Sequence, residues 1–441
     1  MSVENLYAVP NLTTVLTGPL REIEQHLLNQ QSAIETWFRN EWRKTPAPFY
    51  ASVDLRNAGF KLAPVDTNLF PAGFNNLNPA FMPLCIQATQ SALEHICPGA
   101  NRVLIIPENH TRNTAYFESL AMLQEVLNKA GYATKIGSLD AELESAQTQQ
   151  LPSGDQLTLH PIVRNGNRIS VDGFDPCIVL LNNDLSSGAP AVLENIEQTV
   201  IPPIRSGWAH RLKSGHFGHY QQVAEAFAEQ IGIDPWLINP LFTTCGEINF
   251  MKREGEDCIA HNVGKLLDAI QKKYDEYGIT EPPFIIVKAD AGTYGMGIMT
   301  IHSIEEAREL NRKQRTKMSK IKGGQAVSKV ILQEGVYTFE SWGSEQAVAE
   351  PVVYMLDHFV VGGFYRVHTG RSRTENLNAP GMHFEPLAFA EPCNSPNEKM
   401  PPDACPNRFY AYGVIARLAL LAAARELDDL KHSDVTKESI D

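Results

Sequence analysis

The stretch that most constrains this chain runs from Phe284 to Ile301, FIIVKADAGTYGMGIMTI. An apolar run ends at Lys288. Three glycines follow within six residues (Gly292, Gly295, Gly297), and a second apolar run comes after them. The pattern predicts strand, glycine-rich turn, strand. Such a turn lets backbone N–H groups face an anion, and Lys288 adds a fixed positive charge. A plain β-hairpin with a glycine-rich tip explains the same residues equally well. Two other phosphate motifs are excluded. No GxxxxGK[ST] occurs in the chain, and GTYGMG precedes a strand where a dinucleotide fingerprint would open a helix.

The remaining sequence divides around that stretch. Leu20, Ile23, Leu27, Ile34 and Phe38 stand at helical spacing and predict one amphipathic helix over residues 20–43. Residues 50–79 are rich in Gly, Pro and Asn and predict a long irregular segment, a kind often functional. Residues 84–97 predict a helix. Residues 102–137 predict strand, polar loop, a helix ending on Gly131, and strand. CIVLLNNDLSSG predicts a second strand running into a polar loop, and ligands of parallel sheets bind beyond such strand ends. Residues 219–232 and 261–278 predict helices. From Pro283 the chain becomes strand-rich, with strands at VILQEGV, AVAEPVVYML and FVVGGFYRVH. The six cations between Arg312 and Lys322 read as a solvated helix face or mobile loop.

Composition narrows the function. At 441 residues, the length suits about three domains or lobes. The formal charge of −13 disfavours nucleic acid and anionic membrane surfaces as partners. Seven cysteines without a CxxC predict free thiols in a reducing compartment. The first residues lack the basic and apolar regions of a signal peptide. The most apolar stretches are interrupted by Glu350, Asp357 and Arg417, which argues against a membrane span. A cytoplasmic protein with small-molecule partners is expected. A homo-oligomer is allowed.

Downstream of the glycine turn, polar residues follow in a definite order: Gln333-Glu334, Glu350, Asp357, Arg366, then Arg373-Thr-Glu375-Asn376-Leu-Asn378-Ala-Pro-Gly381. Each alone has an ordinary structural reading. Together they resemble the nucleotide site of ATP-grasp proteins, closest to the glutathione synthetase branch at AEPVVYMLDHFVVGGFYRVH and RTENLNAPG. The resemblance implies an α/β and α+β chain. Two strand-rich lobes would clamp ATP, preceded by an α/β pre-ATP-grasp domain. It implies ATP contacts from Lys252, Lys288, Gly292, Gly295, Gly297, Gln333 and Glu334, with Lys288 and Arg366 catalytic. Mg²⁺ or Mn²⁺ would sit on Asp357, Glu375 and Asn376, oxygen donors suited to a hard cation. Glu375 and Asn376 are adjacent where that family often leaves one residue between them, so Glu350 is a substitute ligand.

The first half of the chain supplies candidates for the other substrates. Arg56, Asp66, Asn68 and Asn75 lie in the polar segment, Arg112 in ENHTRN, and Arg211 and Lys213 in GWAHRLKSGHFGHY. Arginine suits a carboxylate and aspartate an ammonium group. The histidines near Gly215 match no zinc spacing. SVDLRNAGFKLAPVDTNLFPAGFNNL, PENHTRNTAY, LLNNDLS, GWAHRLKSGHF, KADAGTYGMG and RTENLNAPG, in this order, resemble the proteobacterial glutamate–cysteine ligase family of ATP-grasp type. That implies ATP-dependent joining of L-glutamate to L-cysteine through a γ-glutamyl phosphate, the first step of glutathione biosynthesis. The expected layout is a helical and substrate-loop region at 1–98 and an α/β domain at 99–205. An ATP-grasp domain follows at 206–430, then a polar tail at 431–441. Alternatives are another carboxylate–amine ligase such as a glutathione synthetase, a phosphotransferase needing no amine, and a catalytically silent ATP-binding regulator.

Overall fold

A computed structural model describes residues 12–13, 19–109, 113–292, 297–319, 326–386 and 408–438. In chain order the elements are β1 (Leu12–Thr13), α1 (Pro19–Asn29), α2 (Gln31–Lys44), β2 (Tyr50–Asn57), β3 (Leu62–Asn68), α3 (Met82–Ile96), β4 (Arg102–Pro107), α4 (Thr114–Lys129) and β5 (Ala133–Ser138). Next come β6 (Gln147–Gln150), β7 (Gln156–Pro161), β8 (Val163–Asn165), β9 (Arg168–Ser170), β10 (Ile178–Asn182), β11 (Thr199–Ile201), α5 (Lys213–Ile231), β12 (Phe242–Cys245) and α6 (Glu256–Tyr277). The last part holds β13 (Ile285–Ala289), β14 (Ile298–Ile301), α7 (Ile304–Arg308), α8 (Arg312–Met318), β15 (Val330–Glu334), β16 (Ser341–Trp342), β17 (Ala347–Leu356), β18 (Phe359–His368), β19 (His383–Pro386) and α9 (Arg408–Glu438).

Three larger sheets organise these elements. The order β11-β10-β4-β5-β7-β6 is parallel except for β6, and it lies wholly between Arg102 and Ile201. Its central strands β4 and β10 are continuous apolar runs, as strands covered on both faces must be. The four-stranded antiparallel sheet β12-β15-β13-β14 carries the glycine-rich turn. The seven-stranded antiparallel sheet is built on the long β17–β18 hairpin, and β2 of the β2–β3 hairpin pairs with β17. That sheet therefore joins residues from the expected 1–98 and 206–430 regions.

Two expectations need correcting. Residues 20–43 form two helices, α1 and α2, with a break at Gln30; Ile23 and Leu27 bury one, Ile34 and Phe38 the other. Residues 50–79 are not irregular, because they begin with the β2–β3 hairpin. Strand β2 alternates polar and apolar residues from Ser52 to Arg56, but its polar face is turned into the protein instead of to solvent. Its charges are satisfied by ion pairs inside the protein, and their composition imitates a loop.

Helix α9 is the hub. Tyr412, Val414, Ile415, Leu418, Leu420 and Leu421 are all fully buried, and a helix apolar on every side must be enclosed. It packs on α1, α5, β2, β3 and β17. Its interior charges are paired: Arg417 makes two 2.8 Å bonds to Glu35 and lies 4.2 Å from the Phe38 ring centre, and Arg425 bonds Glu41 at 2.7 Å. Among the described residues no helix is long and apolar enough to cross a membrane.

Candidate active site

The four-stranded and seven-stranded sheets face each other across a narrow cleft with a free volume of about 80 Å³. Strand β13 places Lys288 there, β15 places Gln333 and Glu334, and the start of the turn places Gly292 at φ 94°, a left-handed conformation suited to glycine. From the opposite side come Asp54, Arg56 and Asp66 on the β2–β3 hairpin, Glu350 on β17, and Asn376 and Asn378. Lys213 completes the rim at the first residue of α5. Asp290 fixes that helix end, accepting from the Ser214 backbone N–H and hydroxyl, both at 2.7 Å.

Lys288 is a buried cation. Its Nζ donates to the Val65 carbonyl at 2.6 Å and to Gln333 Oε1 at 2.8 Å. Burial pulls its pKa down to about 8, while the nearby Asp66 charge pulls the other way. The Gln333 amide is oriented by Lys288, which leaves its buried Nε2 without a partner at the cleft wall. Asp66 pairs with Lys213 at 3.0 Å. Against the penalty of burial, Lys213 and Lys288 hold its carboxyl down at about 2. The Lys213 ammonium also lies 4.0 Å from the Trp208 ring centre.

A second charge network runs across β2, β17 and β18. Arg366 Nη1 donates to Glu350 at 2.6 Å and to Asp54 at 2.8 Å, and Arg56 Nε donates to the other Glu350 oxygen at 3.1 Å. Burial, with the Glu350 charge, holds the Asp54 carboxyl above its ordinary range despite Arg366. Arg366 is itself pushed further up, because its two acids outweigh burial. Sequence reasoning named Glu350 only as a substitute ligand, and Asp54 joins it here. Both are central to this network.

The other expected site residues either fall elsewhere or are already engaged within the fold. Asp357 sits at the tip of the β17–β18 hairpin, bonded to His358 and Ser91, and lines a different cavity beside Trp42 and Phe49. It is seven residues beyond Glu350, about 23 Å along an extended strand, so it cannot share one ion with Asn376. The Glu375 carboxylate is held by Arg371 at 2.7 Å and by the Ser372 N–H at 2.9 Å. Arg211 forms a forked pair with Glu426 of α9 at 2.9 and 3.0 Å and donates to the Thr67 carbonyl, so it ties elements together away from the cleft lining. Arg56 lines the cleft, but its three nitrogens bond Glu350 and the Val336 and Glu375 carbonyls, which makes it a strut more than a substrate clamp. Asn68 bonds its own loop at Phe70, Asn75 is exposed, and Lys252 is exposed on the turn before α6. The Glu334 carboxylate is filled by Lys61, Trp236 and the Leu241 N–H, and its own N–H bonds Leu241. The backbone of Gln333 is taken up in the ladder between β12 and β13. Val336, two residues after β15, also lines the cleft. Gly297 stands at the end of the glycine turn with φ 62°. Gly295 and Arg112 lie outside the described residues.

Among the described residues no group of three His, Cys, Asp or Glu side chains gathers to hold a metal. Mg²⁺, however, is commonly bound by one or two carboxylates together with substrate phosphates. Glu350, Asn376 and Asn378 fit that donor chemistry.

The glutamate–cysteine ligase (GshA) family profile matches residues 24–427. The chain belongs to this family, and its activity is accordingly ATP-dependent ligation of glutamate to cysteine. Among solved structures it resembles a protein of Methylobacillus flagellatus KT, provisionally named gamma-glutamylcysteine synthetase, at 60% identity. That match has a TM-score of 0.89 and covers 96% of this chain and 99% of the other. A glutathione synthetase-like effector of Globodera pallida aligns at 9% identity and TM-score 0.36 over 82% of this chain and 80% of the other. D-alanyl-alanine synthetase A of Vibrio cholerae aligns at 10% and 0.26 over 53% and 60%. Scores this low carry no weight for the fold. No curated protein sequence matches.

Proposed function

We propose that the cleft between the two antiparallel sheets is an ATP-grasp-type site in which the γ-carboxylate of glutamate is phosphorylated and then taken by the amine of cysteine. One observation carries this reading: Lys288, an unpartnered Gln333 donor, Asp66, Lys213, Glu350 and Asn376 converge on one cleft. Lys288 neutralises transferring phosphate, and the small sheet covers the nucleotide. Glu350 and Asn376 would hold the Mg²⁺, which when bound offsets phosphate charge. Asp66 and Lys213, paired with each other here, exchange partners for the α-ammonium and α-carboxylate of glutamate. That leaves only the γ-carboxylate facing the phosphate. Cysteine's amine then displaces phosphate from the acyl carbon, giving γ-glutamylcysteine, ADP and phosphate. No covalent protein intermediate is needed. The protein supplies position, fixed charge and exclusion of water.

The test is nucleotide and product analysis with glutamate alone, cysteine alone, and both. The reading expects rapid ADP release only with both, and a glutamate-dependent acylphosphate trappable by hydroxylamine. ADP release with cysteine alone, or none of the trapped hydroxamate, would overturn it.

A further inference from the structure

Away from the cleft, two cysteine sulfurs lie 2.8 Å apart: Cys245, the last residue of β12, and Cys258, the third residue of α6. A disulfide bond is about 2.05 Å long, so closing it needs less than about 0.8 Å of movement. The pair is asymmetric. Cys245 is 1% exposed, whereas Cys258 is open to solvent. Asn262, one turn further along α6, points its amide Nδ2 at both sulfurs, 3.1 Å from Cys245 and 3.5 Å from Cys258. That N–H donor is shared between the two sulfurs. Burial pushes the Cys245 thiol up to about 12, which leaves Cys258 as the sulfur that meets an oxidant.

We propose that Cys245 and Cys258 form a reversible intramolecular disulfide, loaded by a small-molecule disulfide such as cystine, the oxidised form of the thiol substrate, and unloaded by free thiol. The Cys258 thiolate attacks one sulfur of the small disulfide. That S–S bond breaks, and one small thiolate leaves and takes up the proton Cys258 released. Cys245 then attacks the Cys258 sulfur of the mixed disulfide, and the second small thiolate leaves with the Cys245 proton. Two protein thiols lose two electrons, and one small disulfide becomes two thiols. The bond ties the edge strand of the four-stranded sheet to α6 across the loop that carries Lys252. Strand β12 pairs with β15 at Phe242 and Gln333, so the tie braces the cleft's small sheet from outside.

The experiment treats the whole protein with excess cystine, alkylates the remaining thiols and maps the peptides, with and without later reduction by free cysteine. The expected result is a Cys245–Cys258 cross-linked peptide, reversed by cysteine, with Cys85, Cys97 and Cys177 still alkylated. Cys258→Ser should leave Cys245 unmodified, and Cys245→Ser should accumulate a stable mixed disulfide on Cys258. Alkylation of both thiols after cystine, or wild-type protein that halts at the mixed disulfide, overturns the proposal. The readout is thiol state and not turnover, so its outcome is separable from the cleft assignment.

Discussion

Glu350 and Arg366 face each other directly across the β17–β18 ladder, and the carboxylate of Glu350 is gripped on its other oxygen by Arg56. One acid thus holds two arginines, and Arg366 in turn holds Asp54. Truncating one partner of such a buried network leaves uncompensated charge, whereas a neutral isostere tests the charge alone.

Glu350→Gln is expected to fold with a stability loss of about 3 kcal/mol, read by urea unfolding. It should also raise the Mg²⁺ or Mn²⁺ concentration giving half-maximal activity. The two readouts separate the strut from the ligand role. A stability loss with unchanged metal dependence would take Glu350 out of the metal site and leave it structural.

Lys288→Met is expected to cut turnover by at least ~10²-fold through lost phosphate stabilisation. With its pKa near 8, Lys288 is charged below that pH and neutral above it. The kcat/KM for ATP, which reports the free enzyme, should therefore fall above about pH 8, and Lys288→Arg should move that limb upward. Unfolding driven by this group is not the cause. Because its folded pKa lies below the unfolded 10.5, the unfolded chain binds more protons between about 8 and 10.5, and stability rises with pH there.

Asp66→Asn and Lys213→Met should raise the KM for glutamate roughly 10- to 150-fold, the equivalent of about 1.5–3 kcal/mol per charge-assisted contact, with little change in the KM for ATP. Arg56→Lys should instead lower the melting temperature, because its guanidinium holds two carbonyls and Glu350. Unchanged glutamate kinetics in both the Asp66 and Lys213 variants would remove the pair from substrate binding.

Glu426→Gln is expected to destabilise the protein by about 3 kcal/mol at neutral pH. The Glu426 carboxyl is buried, and Arg211 and His216 overcome that burial to hold it near 2 instead of 4.5. A depressed carboxylate stabilises fully above its unfolded pKa. The difference between variant and wild type should therefore shrink as pH falls from 4.5 towards 2, which guanidinium unfolding at pH 7 and pH 3 would show. A difference independent of pH would mean packing, not charge.

The parts legible in the sequence were those whose pattern is local. The β13–turn–β14 unit, the β4–α4–β5 unit and the β17–β18 hairpin all follow from runs and glycines within a few residues of one another. The β2–β3 hairpin did not, because its charged residues answer to partners far along the chain. Arg56 bonds Glu350 at a separation of 294 residues, and Lys61 bonds Glu334 at 273. Without those partners in view, Asp54, Arg56 and Lys61 look like loop residues. Arg211 misled for the same reason, since Glu426 lies 215 residues on. Asp357 follows the expected order in a motif, and order does not reveal that its side chain sits in the turn just past a ten-residue strand.

Because α9 is enclosed by α1, α5, β2, β3 and β17, every one of those elements leaves the ribosome before the helix that completes its packing. Until Phe409 to Leu427 emerge, the apolar faces around Leu27, Phe38 and Phe227 have no permanent cover. A nascent chain halted ahead of Arg408 would carry the cleft's residues but not the wedge that holds their hairpin in place, exposing surface that chaperones bind and proteases attack. Arg211, forked onto Glu426 of α9 and bonded to the Thr67 carbonyl, links that helix to the Asp66–Lys213 end of the cleft, so this end is the last to gain its support.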